Sequence, residues 1–173
     1  MTPVYITLSQ IEALHPCEDA LREVRRFFGK RQRIRVTVKV AVAVAVAQRF
    51  NFCWLARHTL RGDARDTYSI LTRTTYAALG CAVARALAKK RASRASLTAE
   101  FDRAAVEARD VANRAALPFD DLLSPAYAAL DIGRFAAQQE CDADVAAAQR
   151  NFDVDIAAAW AREYVNQKRE RQS

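Results

Sequence analysis

The stretch Val38–Leu60, VKVAVAVAVAQRFNFCWLARHTL, decides the fold, because it is the most apolar run in the chain and holds one of its two tryptophans. Two readings of its first half compete. Ile34, Val36, Val38, Val40, Val42, Val44 and Val46 alternate without a break, which is the signature of a strand. A strand of that length needs a partner, however, and the other strand-like piece is Val4–Leu8. Alanine at every second position also packs well in a helix buried on all sides. Residues 33–47 therefore stay open between helix and strand, with helix the reading adopted for the fold. On that reading the stretch makes two helices with a kink at Arg49, Phe50 and Asn51. Asn51 caps the second helix, Phe52, Leu55, Ala56 and Thr59 recur at helical spacing, and Gly62 closes it.

Composition supports an all-α chain. Alanine makes up about a fifth of the 173 residues, against only four glycines and four prolines, a balance that favours close-packed helices over a sheet with many turns. On the N-terminal side of the central stretch, Thr7 and Gln10 form a capping box for a helix carrying Leu8, Ile11 and Leu14, which Pro16 stops. In CEDALREVRRFFGK, Cys17, Leu21, Val24 and Phe28 make one apolar stripe, with Glu18 and Asp19 at the start of the helix and Gly29 at its end. Arg22, Arg25 and Arg26 lie beside that stripe.

On the C-terminal side, Asp63 or Asp66 starts a long helix to about Ser93, with Tyr68, Thr72, Tyr76, Leu79, Val83 and Leu87 along one side. Lys89, Lys90, Arg91 and Arg94 crowd its end, where the helix dipole favours cations. Ser96 or Thr98 begins another helix through Phe101 and Ala105 to Leu117, and Pro118 breaks it. The last helix starts at Ser124 as N-cap with Pro125 at its first position, and runs to about Lys168 past Gly133. CDADVAAAQRN (141–151) aligns with FDVDIAAAWAR (152–162) at an offset of eleven, which is three turns and gives a nearly straight stripe. The expected organisation is a helical domain with a basic face over 1–117, then a long alanine-rich helix over 118–173 that docks back or dimerises.

Net charge is +7, but it is unevenly spread. From Arg22 to Arg94 there are eighteen Lys or Arg against three acids, and the remainder carries nine basic and seventeen acidic residues. A basic front half can steer a polyanion or an acidic protein surface, and an acidic tail lets one copy attract another. The candidate basic face comprises Arg22, Arg25, Arg26, Lys30, Arg31, Arg33 and Arg35, together with Lys89, Lys90, Arg91 and Arg94. With Phe27 or Phe28 nearby, the first seven can track a phosphate backbone. Trp160 and Tyr164, on an otherwise small-residue helix, are candidate anchors for a partner helix.

Cys17, Cys53, Cys81 and Cys141 show no CxxC pairing, and the N-terminus carries no secretory signal. The Val40–Ala47 run is too short to span a bilayer. A protein of a reducing cytoplasm, with no membrane partner, is the expectation. Cys53 and His58 lie five apart and off a common helical face, so neither a metal site nor a nucleophile–base pair is expected there. Asp142, Asp144, Asp153 and Asp155 point to different sides of a helix and read as solvated surface. No glycine-rich phosphate loop or nucleophile elbow is present. The expectation is a non-enzyme without cofactor or metal.

At AWAREY (159–164), HPCEDAL (15–21) and NFCWLARHTL (51–60), the chain resembles a loose group of alanine-rich proteins encoded by phages and mobile elements. Those proteins carry a Trp-Leu-Ala segment and end in tandem units of alanine, tryptophan and tyrosine, of which this chain has one clear copy. The resemblance implies a protein of a bacterial host cell that binds and blocks a host protein or ribonucleoprotein complex, most concretely a nucleic-acid-handling defence complex in the manner of an anti-CRISPR protein. The alternatives are a nucleic-acid-binding accessory protein and an immunity-type protein that binds a toxin. A homodimer is a further expected assembly.

Overall fold

The computed structural model describes residues 3–48 and 50–172. Among them the chain is an all-α bundle of six helices with one small sheet: β1 (Tyr5–Thr7), α1 (Leu8–Glu12), α2 (Glu18–Phe28), β2 (Arg33–Arg35), α3 (Val38–Gln48), α4 (Phe52–Thr59), α5 (Gly62–Ala115) and α6 (Phe119–Glu170). The valine ladder divides between both readings. Arg33–Arg35 pairs antiparallel with Tyr5–Thr7 in the register Ile6↔Ile34, which puts both isoleucines inward. From Val38 onward the run is helical, because Thr37 Oγ1 accepts the Val40 N–H at 3.1 Å and so caps it. Ala41, Val44 and Ala45 then form its buried face.

Two compact units make up the chain: Met1–Leu79 with Gln149–Ser173, and Gly80–Ala148. The first holds a single core in which Val24, Phe28, Ile34, Val44, Leu55 and Leu60 meet Ile156, Trp160 and Tyr164. Its short elements end where local chemistry ends them. Thr7 and Gln10 exchange the two bonds of a capping box at 3.2 and 2.9 Å. Gly29 leaves α2 with φ at +55°, a conformation that costs a Cβ-bearing residue. Asn51 accepts the Trp54 N–H at 2.9 Å and caps α4. Of the kink expected at 49–51, Arg49 lies outside the described residues.

The second unit pairs the two long helices antiparallel. Lys89 meets Glu140, Phe101 packs its ring 4.7 Å from that of Tyr127, and the Arg109 guanidinium lies 5.7 Å over the Phe119 ring. Gly133 leaves room for Leu97, since a Cβ there would stand 2.5 Å from a Leu97 methyl.

Several boundaries differ from those read in the sequence. Cys17 is the exposed N-cap of α2 and not part of its apolar stripe. Gly62, with φ at +51°, opens α5, while α4 ends at Thr59 with Leu60 as its extended C-cap. No new helix starts at Ser96 or Thr98. Both hydroxyls are occupied along the helix, Ser96 donating to Glu100 at 3.1 Å and Thr98 to the Arg94 carbonyl at 2.9 Å, so neither caps a start. α5 stops at Ala115, where Ala116 turns left-handed (φ +53°) ahead of Pro118. Ser124 is not an N-cap either: α6 begins at Phe119 with Asp120 and Asp121 in its first turn, and Pro125 lies inside it beyond that turn, where the missing N–H leaves the Asp121 carbonyl without its donor four residues on.

Candidate nucleic-acid interface

The antiparallel pair β1–β2 projects alternate side chains to opposite sides. Ile6 and Ile34 are buried, so Tyr5, Arg33 and Arg35 share the outward side and are exposed. Tyr5 lies opposite Arg35 in the ladder, and the Arg33 guanidinium sits 4.8 Å over the Tyr5 ring from the diagonal position. This is a two-stranded ribbon with an aromatic ring between cations. Leading into it, Lys30 and Arg31 are exposed, and Arg31 reaches the Phe27 carbonyl at 3.5 Å. Among the described residues, no carboxylate lies within 4.0 Å of Lys30, Arg31, Arg33 or Arg35.

The helix arginines are held differently. Arg22, Arg25 and Arg26 fall at i, i+3 and i+4 and share one side of α2, while Val24 and Phe28 are buried on the other. Each has an acidic neighbour. Arg25 gives both Nε and Nη2 to Glu12 Oε1, at 3.0 and 2.9 Å. Arg22 lies 3.4 Å from Asp19, and Arg26 4.0 Å from Glu23. These pairs are exposed and worth at most about 1 kcal/mol each, so they leave the arginines able to exchange a carboxylate for a phosphate.

Lys89, Lys90, Arg91 and Arg94 belong to the second unit. The helix does not end there, as expected from the sequence, but continues for more than twenty residues to Ala115, so the dipole gives no account of the cluster. Lys89 is committed to α6, 2.6 Å from Glu140 and 3.7 Å from Asp144. Its pKa is raised by the hydrogen bond and charge of Glu140.

Trp160 and Tyr164, expected as anchors for a partner helix, are core residues, 4% and 3% exposed. The Trp160 ring packs 5.3 Å from that of Phe52 and stacks at 5.3 Å on Tyr164, and its indole N–H donates to Thr59 Oγ1 at 3.0 Å. The reason is the stripe they sit on: Phe52, Leu55 and Ala56 of α4 need an aromatic lid, and α6 supplies it. A residue closed into its own core is not available to a partner.

The remaining chemistry-bearing residues are dispersed. Cys53 contacts Tyr76 Oη at 3.3 Å, whereas His58 Nδ1 meets the Trp54 carbonyl at 2.8 Å. All four cysteines are free thiols. Among the described residues, no group of three or more His, Cys, Asp or Glu is arranged to hold a metal, and no helix is long and apolar enough to cross a membrane. Sequence reading missed Tyr5 as part of the basic face. The usable signal was the matched alternation of Tyr5-Ile6-Thr7 and Arg33-Ile34-Arg35, which sends Tyr5 to the arginine side once the isoleucines face inward. No family model, no curated protein and no solved structure matches the chain.

Proposed function

We propose that the protein is a non-enzymatic binding protein that docks on nucleic acid, free or within a ribonucleoprotein complex, through the ribbon face of its first unit. The observation that carries this reading is the Arg33 guanidinium over the Tyr5 ring, with Arg35 beside it and Lys30 and Arg31 leading in, all exposed and, among the described residues, without a carboxylate within 4.0 Å. Cations of this kind neutralise phosphates, and an exposed ring between them offers a stacking surface for an unpaired base. The arginines of α2 extend the same positive sequence segment. Burial of Trp160 and Tyr164 takes away the aromatic anchors that favoured a protein groove as the primary partner. Inhibition of a nucleic-acid-handling defence complex, which the resemblance to mobile-element proteins implies, is the biological form this binding takes in our reading.

Binding of the full chain to generic single- and double-stranded DNA and RNA, measured across a salt series, tests it. A log–log salt slope of about −3 or steeper is expected if most of the unpaired cations contact phosphates. Loss of that slope in an Arg33→Gln/Arg35→Gln variant places the contact on the ribbon. Absence of binding at low salt to every nucleic acid tried removes the reading.

A further inference from the structure

By position in the sequence, the C-terminal part belongs to the acidic remainder of the chain, yet its last turns are basic: from Trp160 to Gln172 there are four Lys or Arg against two acids. Folding brings these turns to the basic strand. Arg162, Asn166 and Arg169 fall at i, i+4 and i+7, so they share one side of α6 and are exposed there, while Ala161 and Tyr164 are buried in the core. Opposite them runs the end of β2 and the segment that follows it, where the Val36 N–H donates to the Val4 carbonyl at 2.8 Å and carries the ladder one step further.

Between the two is a cleft of about 340 Å³, wholly within the first unit. Arg35, Arg162 and Arg169 line it with Asn166, and Val38 and Val165 give it an apolar wall. No acidic residue lines it, and among the described residues no carboxylate lies within 4.0 Å of any of the three guanidinium groups. Glu163, whose carboxyl feels the Arg162 charge, is buried and is not part of the lining. Arg35 also belongs to the ribbon face, so the two positive surfaces meet at one residue.

We infer that the cleft continues the nucleic-acid path, and that its occupant is a single strand whose phosphates pass from Arg33 and Arg35 to Arg162 and Arg169 while a base covers Val38 and Val165. This rests on the nucleic-acid reading of the ribbon. The lining selects the kind of strand. A duplex keeps its bases paired and presents phosphates alone, which would answer the arginines and leave the valine wall in water. A single strand offers both chemistries at once, charge for the rim and an unpaired ring for the wall, as it does at the Tyr5 ring between its own cations.

The test measures fluorescence anisotropy of a labelled thymidylate single strand, and of a duplex of equal length, with the full chain across a salt series. The single strand should bind more tightly than the duplex. Arg162→Gln/Arg169→Gln should reduce the salt slope by about 1.4, at about 0.7 for each phosphate contact on a single strand, and weaken binding about tenfold at low salt. Asn166→Asp, which sets a carboxylate between the two arginines, should weaken it as well. Arg103→Gln/Arg134→Gln removes the same charge from exposed positions of the second unit and should leave the slope near the parental value. If Arg33→Gln/Arg35→Gln loses the slope while Arg162→Gln/Arg169→Gln keeps it, the ribbon stands and the cleft is overturned; if the parent binds no nucleic acid, both fall. The cleft is overturned also by tighter binding of the duplex, by an equal loss in Arg103→Gln/Arg134→Gln, or by polyglutamate displacing the strand as well as unlabelled thymidylate does, which would assign the path to an acidic protein segment.

Discussion

Trp160 gives its indole N–H to the hydroxyl of Thr59, 3.0 Å away and 101 positions earlier in the chain. Thr59 in turn donates to the Leu55 carbonyl at 2.7 Å, so the indole is tied to the last turn of α4 through a hydroxyl already oriented by its own helix. Trp160→Ala removes this bond and the ring that covers Phe52, and should cost about 3–5 kcal/mol in urea unfolding. Trp160→Phe keeps most of the packing and should cost less than half of that. Nucleic-acid affinity of the folded Phe variant should equal that of the parent, because the ring is inside. A large affinity loss in a variant of parental stability would show that Trp160 reaches a partner after all.

Gln167 works on the same joint. Its side-chain carbonyl accepts the Arg61 backbone N–H at 2.6 Å, and its amide donates to the Thr59 carbonyl at 3.0 Å. A buried amide thereby satisfies both backbone groups flanking Leu60, which is fully buried in the link between α4 and α5. Gln167→Ala leaves both groups unpaired and should destabilise by about 2–4 kcal/mol. The exposed neighbour serves as control: Asn166→Ala should stay within about 0.5 kcal/mol. Equal effects from the two substitutions would mean that the bonds contribute nothing.

These two residues show where sequence reading reaches and where it stops. Thr7 with Gln10, Asn51 with Trp54, and Gly29 are visible in the chain because each acts within a few positions of itself. The all-α class follows from alanine content and from the scarcity of Gly and Pro. What is not legible is set by distant partners. Ser96 and Thr98 carry the composition of a helix start, yet Leu97 sits against Gly133 and Phe101 against Tyr127, and this packing keeps α5 continuous. Trp160 and Tyr164 look like anchors in isolation, and only the α4 stripe opposite them decides that they face inward. At the basic face, the arginines were legible as charge, but the placement of Tyr5 among them depends on strand register.

Gly133 and Leu97 form a pair whose coupling is measurable. A methyl at 133 would meet Leu97 Cδ2 at 2.5 Å and Cδ1 at 2.9 Å, too close without a rotation of the leucine. Alanine is nevertheless favoured over glycine by about 1 kcal/mol within a helix. Gly133→Ala alone should therefore be neutral or destabilising, whereas in a Leu97→Ala background the same change should stabilise by about 1 kcal/mol. A double-mutant cycle by chemical denaturation reads the difference. Additive effects would mean that the leucine is not confined.

The ribbon and the helix arginines should respond in opposite directions to mutation of their surroundings. Arg33→Gln removes an unpaired cation, and should weaken nucleic-acid binding at every sequence while lowering the salt slope by about 1. Glu12→Gln removes the carboxylate that takes both donors of Arg25. Because that pair is exposed, stability should change by no more than about 1 kcal/mol, while the released guanidinium strengthens binding. Filter binding or fluorescence anisotropy at two salt concentrations suffices. Weaker binding in Glu12→Gln contradicts the assignment of α2 to the interface.

Glu163 supplies the pH dependence. It is 9% exposed, and burial is the main cause of its raised pKa; Arg162 opposes the shift and Glu170 adds to it. An acid whose pKa is higher in the folded state favours folding when protonated. That contribution is fully present below the ordinary carboxylate value of 4.5 and is lost as pH rises through the folded value, so the charge is a net cost at neutral pH. Glu163→Gln keeps the shape without the charge. Its Tm should exceed that of the parent at neutral pH, and the gap should close as pH falls and the parent's carboxyl takes up its proton. Melting curves of both proteins across the acid range check this, and a Gln variant that melts lower than the parent at neutral pH would show instead that the carboxylate is stabilised by its neighbours on α6.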